Sequence, residues 1–104
     1  MRFRKLGNSG LPVAEISLGS WLKYSRGVEA EQGRAYSDAV FDASINVFDT
    51  ANAHGKGAAG TAWGAIFNRH PRDSYSLATK MWAPMSDTDE GLSGEQIAKQ
   101  VAVE

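Results

Sequence analysis

Apolar runs of strand length alternate with helical patterns along this chain, and that alternation limits its fold more than any other feature. Ile45-Asn46-Val47-Phe48-Asp49-Thr50-Ala51 reads as a buried strand ending in a carboxylate. Tyr75-Ser76-Leu77-Ala78-Thr79-Lys80 reads as another, ending in a cation. An earlier run, Val13–Leu18, continues to Gly19-Ser20-Trp21 and has the character of a strand in its own right. Between the runs, residues 28–43 carry Ala35, Ala39, Val40 and Ala43 at three- and four-residue spacing, which predicts a helix despite Gly33. Residues 59–68 predict a second helix, with Ala62, Trp63, Ile66 and Phe67 on one face and Pro71-Arg72-Asp73 as its stop. Strands and helices in this order predict βαβ units and a parallel sheet.

The ends of the chain add a hairpin and a helix start. Arg2–Leu6 and Val13–Leu18 flank Gly7-Asn8-Ser9-Gly10, residue types that accept the positive φ of a tight loop. Ser93-Gly94-Glu95-Gln96 has the form of a capping box, in which the Ser93 hydroxyl accepts from the Gln96 amide and the Gln96 side chain reaches back. Ile97, Ala98 and Val101 begin an apolar stripe behind it.

Composition narrows the function. The 104 residues allow one domain, and 42% hydrophobic with 22% charged residues is a globular balance. A net charge of -1 supplies no electrostatic reason to bind nucleic acid or acidic lipid. Without cysteine there is no disulfide, thiolate nucleophile or cysteine zinc site. No run approaches the roughly 18 apolar residues of a membrane helix, and the basic start MRFRKLGNSG lacks a following apolar segment. The expected location is therefore cytoplasmic, with no membrane partner.

Three groups of residues could carry chemistry. Gly55-Lys56-Gly57-Ala58-Ala59-Gly60 is a literal G-x-G-x-x-G, which in a Rossmann unit sets a helix N-terminus against a diphosphate. Here several residues separate it from the strand, and the next strand ends in Lys80 where the fingerprint has an acid. Both features argue against the fingerprint and for a flexible loop leading into a helix start. Asp49 and Lys80 both fall at the C-terminal ends of predicted parallel strands, the face on which β/α barrels build active sites. Neighbouring strands would let them pair, and a buried lysine paired in this way keeps its charge and can tune a third group. A structural ion pair at a barrel rim is the competing account. Only His54 and His70 are available as imidazoles, too few to build a metal site, so no metal is expected. His70 suits a helix C-terminus. His54 lies in the loop after Asp49, where a surface position and a catalytic one are both open.

Taken together, Met1-Arg-Phe-Arg-Lys-Leu-Gly-Asn-Ser-Gly-Leu-Pro-Val, Ile16-Ser-Leu-Gly-Ser-Trp21, Asn46-Val-Phe-Asp-Thr-Ala51 and Ala78-Thr-Lys80 resemble the aldo-keto reductases. The likeness is nearest to the branch of potassium-channel β subunits and related bacterial oxidoreductases. It implies the N-terminal part, a hairpin plus three βα units, of a (β/α)8 TIM barrel, as one incomplete domain over residues 1–104. It also implies NADP(H) as cofactor and an aldehyde or ketone as substrate, reduced by hydride transfer. Asp49 and Lys80 match the family's catalytic aspartate and lysine, and Gly19, Ser20, Trp21 and Asp49 match positions near the nicotinamide. Where the family has its proton-donating tyrosine, five residues after Asp49, this chain has His54.

An imidazolium can donate a proton but is shorter than a phenol, and a displacement of about 1 Å can cost on the order of a hundredfold in rate. A complete barrel takes about 250 residues. The chain is therefore expected to be a truncated or degenerate reductase with little activity alone. A regulatory or partner-binding fragment, self-associating through an open sheet edge, is the alternative expectation. A small Rossmann-type NADP binder is a third.

Overall fold

The computed structural model describes residues 1–20 and 30–103. Strands β1 (Phe3–Lys5) and β2 (Pro12–Ala14) form the expected antiparallel hairpin, with Phe3 opposite Ala14. Its loop uses Gly7 and Gly10 at φ 53° and 77°. The run beyond it is not one strand: the chain bends at Glu15–Ile16, and a separate β3 (Leu18–Gly19) enters the second sheet. The bend is what lets one apolar run serve two sheets.

Helix α1 (Ala30–Asp42) follows, then β4 (Val47–Asp49), α2 (Ala58–Phe67), a 3-10 turn (Arg72–Ser74), β5 (Ser76–Ala78) and α3 (Gly94–Val103). The order β3-β4-β5 is parallel throughout, with Leu18 opposite Phe48, Gly19 opposite Asp49 and Asp49 opposite Ala78. Asn46 ties the hairpin to this sheet. Its side-chain amide donates to the Pro12 carbonyl, and its carbonyl oxygen accepts from the Ala14 amide, both at 2.9 Å.

The core lies between sheet and helices and is mostly aromatic. Phe48, in the middle of β4, is completely buried, and Trp63, Ile66, Phe67 and Ala59 of α2 close over it. Phe48 meets Phe67 at 4.7 Å and Trp63 at 5.7 Å between ring centroids, both edge to face, and Phe41 of α1 at 4.9 Å. Edge-to-face pairs of this kind add about 0.5–1.5 kcal/mol to the burial itself.

Two helix faces differ from the sequence reading. In α1 the residues turned inward are Gly33, Ser37, Val40 and Phe41, whereas Ala35, Ala39 and Ala43 are exposed. Alanine offers too little apolar area to choose a face, and one phenylalanine outweighs three methyl groups. In α2, Ala59 replaces Ala62 beneath the sheet.

Helix α3 is capped as expected on one side only: the Gln96 amide donates to the Ser93 hydroxyl at 3.2 Å. The Gln96 side chain instead donates to the Thr88 carbonyl, which pins the preceding loop. The Ile97 and Val101 stripe is exposed. Among the described residues no helix is long and apolar enough to cross a membrane.

Candidate active site

Ladder hydrogen bonds continue past the formal ends of the strands and gather the polar residues at one edge. The Ser20 amide donates to the Asp49 carbonyl, the Thr50 amide to Ala78, and the Asn52 amide to Lys80, at 2.9, 2.8 and 3.0 Å. Asp49, Lys80, Ser20 and Thr50 therefore meet at the C-terminal edge of the parallel sheet.

The Lys80 ammonium donates to both Asp49 carboxylate oxygens at 2.6 Å and to the Thr50 carbonyl at 2.8 Å. The expected pairing forms, but the expectation of a buried lysine is corrected. The Lys80 side chain is 56% exposed and that of Asp49 46%, and among the described residues β5 has no strand neighbour on its outer side. Water screens such a pair strongly.

After β4 the chain turns through residues 52–57, and Gly57 at φ 89° caps α2. This is the stretch of the apparent glycine fingerprint. Helix α2 starts at Ala58, well separated from the end of β4 at Asp49, so the glycines do not form the immediate strand-to-helix turn of a dinucleotide fold. Within the turn, the Ala59 amide donates to the His54 carbonyl. The His54 ring is held as well: its Nδ1 lies 2.7 Å from the Ser20 Oγ, which in turn donates to the Thr50 Oγ1 at 2.9 Å. Ser20 and Thr50 are both buried.

His54, Lys80, Asp49, Gly19 and Ala53 line one open pocket of about 550 Å³. Burial lowers the His54 pKa from its ordinary 6.5, the Lys80 charge lowers it further, and Asp49 opposes both. The ring is thus mainly neutral at pH 7.

The structure places the sequence-derived residues unevenly. Asp49, His54, Lys80 and Gly19 share the pocket; Ser20 sits behind it, its hydroxyl engaged by Thr50 and His54. Trp21 lies outside the described residues. Thr50 was missed, since a threonine following an aspartate carries no signal of a partner 30 residues away. His70, expected only to complement a helix end, stacks on Phe41 at 3.7 Å and lies 3.8 Å from Asp38. A second groove, of about 410 Å³, lies at the other end of the strands beside Asn46, Arg72 and Tyr75. Asn46 is committed there to the hairpin, and Arg72 donates to the Tyr75 carbonyl.

Comparison with known proteins bears on the family and the fold. The chain is 29% identical over 102 residues to a probable voltage-gated potassium channel subunit beta of Oryza sativa subsp. japonica, covering 95% of this chain and 31% of that protein. It superposes on the holo form of an aldo-keto reductase from Bacillus halodurans with a TM-score of 0.81 and 27% identity, over 99% of this chain and 35% of the other. An aldo-keto reductase from Klebsiella pneumoniae, solved in complex with NADPH, matches with a TM-score of 0.63 and 27% identity, over 70% of this chain and 25% of that one. The chain thus spans about a third or less of these relatives, and its three parallel strands are the N-terminal part of a β/α barrel rather than a closed one. The aldo/keto reductase family model matches residues 15–103, and the chain belongs to that family.

Proposed function

We propose that this chain carries the proton-handling corner of an NADP(H)-dependent carbonyl reductase site, and that the 104-residue polypeptide alone turns over little or no carbonyl substrate. The observation that carries the reading is the convergence of Asp49, Lys80 and His54 on one pocket at the C-terminal edge of the sheet. That pocket suits the nicotinamide end of the cofactor: Gly19 lines it, and a Cβ added there would meet open space. Gly19 and Asp49 would hold the ring. When bound, the reduced cofactor supplies hydride to a carbonyl carbon.

The chain's own part is the proton. His54 stands where the family has a tyrosine, and only its imidazolium form is acidic enough to give a proton to a carbonyl oxygen. Its lowered pKa makes that form scarce at neutral pH. Lys80 adds to this by disfavouring a second positive charge. An exposed ion pair and an open pocket also leave water in the site, which weakens every electrostatic interaction used there.

The test mixes pure chain with NADPH and a reactive aldehyde and follows the loss of reduced-nicotinamide absorbance. No turnover above the buffer blank is expected. Clear turnover that disappears in Lys80→Met would refute the proposal of an inactive chain.

One observation favours a second reading, self-association. Among the described residues strand β5 is paired on one side only, and Leu77 in it is 41% exposed. A free strand edge with apolar side chains is a template for another chain. A single monomeric species in sedimentation velocity at high concentration would exclude it.

A further inference from the structure

We infer that Asn52 and Gln100 are a pair of positioning residues: their buried side chains join α3 to the turn after β4 and so set where that turn holds His54 beside Lys80 and Asp49. The inference rests on the reading of that pocket as the proton-handling corner of a reductase site. It adds two residues that do not themselves line the pocket.

Asn52 lies two residues before His54 and is tied down twice. Its backbone amide donates to the Lys80 carbonyl at 3.0 Å, which stitches the turn to the end of β5. Its side-chain amide donates to the Gln100 Oε1 at 3.3 Å, across 48 residues of chain. The His54 amide in turn donates to the Ala51 carbonyl at 3.0 Å, so His54 follows wherever Ala51 and Asn52 are held. Asn52 is 3% exposed and Gln100 5%, which keeps solvent from competing for the bond between them.

Helix α3 turns polar residues, not apolar ones, toward the sheet. Ile97 and Val101 are exposed, whereas Gln96 is half-buried and Gln100, one turn further on, is the buried side chain among the described residues of the helix. The other side-chain bonds of α3, from Gln96 to the Thr88 carbonyl and from Lys99 to Asp89, reach only the loop just before it. Among the described residues, the bond to Asn52 is thus what ties the helix to the sheet edge by a side chain. One amide–amide bond adds little net stability, because both groups leave water to make it, and apolar side chains of the same size would gain more from burial. The bond does what apolar contact cannot. It holds only over a narrow range of distance and angle, and so specifies one placement of the turn against the helix.

In the isotope-labelled, unsubstituted chain, nuclear Overhauser contacts between the Asn52 side-chain amide protons and the Gln100 side chain are expected. Gln100→Met and Asn52→Leu each remove the bond and keep the side-chain size. The turn then loosens and the His54 ring gains water. Burial is the largest influence holding its pKa down, with Lys80 second and Asp49 opposing both. The His54 titration therefore moves up toward the ordinary 6.5 in each variant, and the double variant moves it no further than either one.

Absence of the Overhauser contacts in the unsubstituted chain overturns the inference, whether or not the variants fold. So does a His54 titration that fails to rise in the folded variants, even if their urea midpoints fall, since the pair would then support the fold without positioning the turn. The measurements need neither cofactor nor carbonyl substrate. Failure of the reductase reading leaves them unchanged, and the two failures are told apart.

Discussion

Replacing Lys80 by methionine tests whether the candidate site is open to water. The lysine makes two 2.6 Å contacts with Asp49 and one of 2.8 Å with the Thr50 carbonyl, and both charged side chains are about half exposed. Exposed ion pairs measure about 0.2–1 kcal/mol once screening and side-chain entropy are included. The hydrogen bond to the carbonyl adds about 0.5–1.5 kcal/mol. Lys80→Met should therefore destabilise the chain by about 1–2 kcal/mol, which lowers a urea midpoint by roughly 1 M for a small protein. Had the same pair been enclosed, leaving Asp49 buried without its partner would cost about 3–5 kcal/mol. Urea unfolding followed by circular dichroism separates the two ranges. A loss of 3 kcal/mol or more would show that the pair is covered in solution, and the open-pocket reasoning would be wrong. The substitution carries a second readout. Lys80 lowers the His54 pKa, so its removal should move the His54 titration to higher pH, while Asp49→Asn should move it lower. A titration indifferent to both would separate the ring from the ion pair.

Two other outcomes follow from the packing and from linkage. Phe48→Ala removes the fully buried ring at the centre of the aromatic cluster and should cost about 3–5 kcal/mol, a large share of the roughly 5–15 kcal/mol that holds a domain of this size together. Loss of the near-ultraviolet dichroic signal at 25 °C would mark it, and a midpoint within about 0.5 M urea of the parent would show that Phe48 is not the core. The lowered His54 pKa means that the unfolded chain binds the proton more readily. The stability His54 contributes is therefore complete above its ordinary 6.5 and is lost as pH falls through the folded value. His54→Gln should flatten that acid-side decline in Tm between pH 8 and pH 5, and a steeper decline in the variant would contradict the sign.

Sequence alone determined the elements of this protein and the identity of its charged pair. Phe48 in an apolar run, Trp63, Ile66 and Phe67 at helical spacing, and the glycines of the first loop are local patterns with local causes, and the elements they predict form within a few residues of their expected bounds. Asp49 and Lys80 were legible for the same reason. In a parallel sheet the ends of successive strands lie on one edge, so strand order and strand end suffice to pair them. The tertiary structure alone decided the rest. Whether α1 buried its alanines or Phe41 depended on which face met Phe48 across the sheet. The bend at Glu15–Ile16 splits one apolar run between two sheets, a division invisible in its hydropathy. The exposure of the ion pair is likewise set by what packs around it in the fold and not by its own residues. The chain from Thr50 through Ser20 to His54 joins residues 30 and 34 positions apart. No pattern in the sequence encodes that meeting, which the folded sheet edge and the turn after β4 bring about.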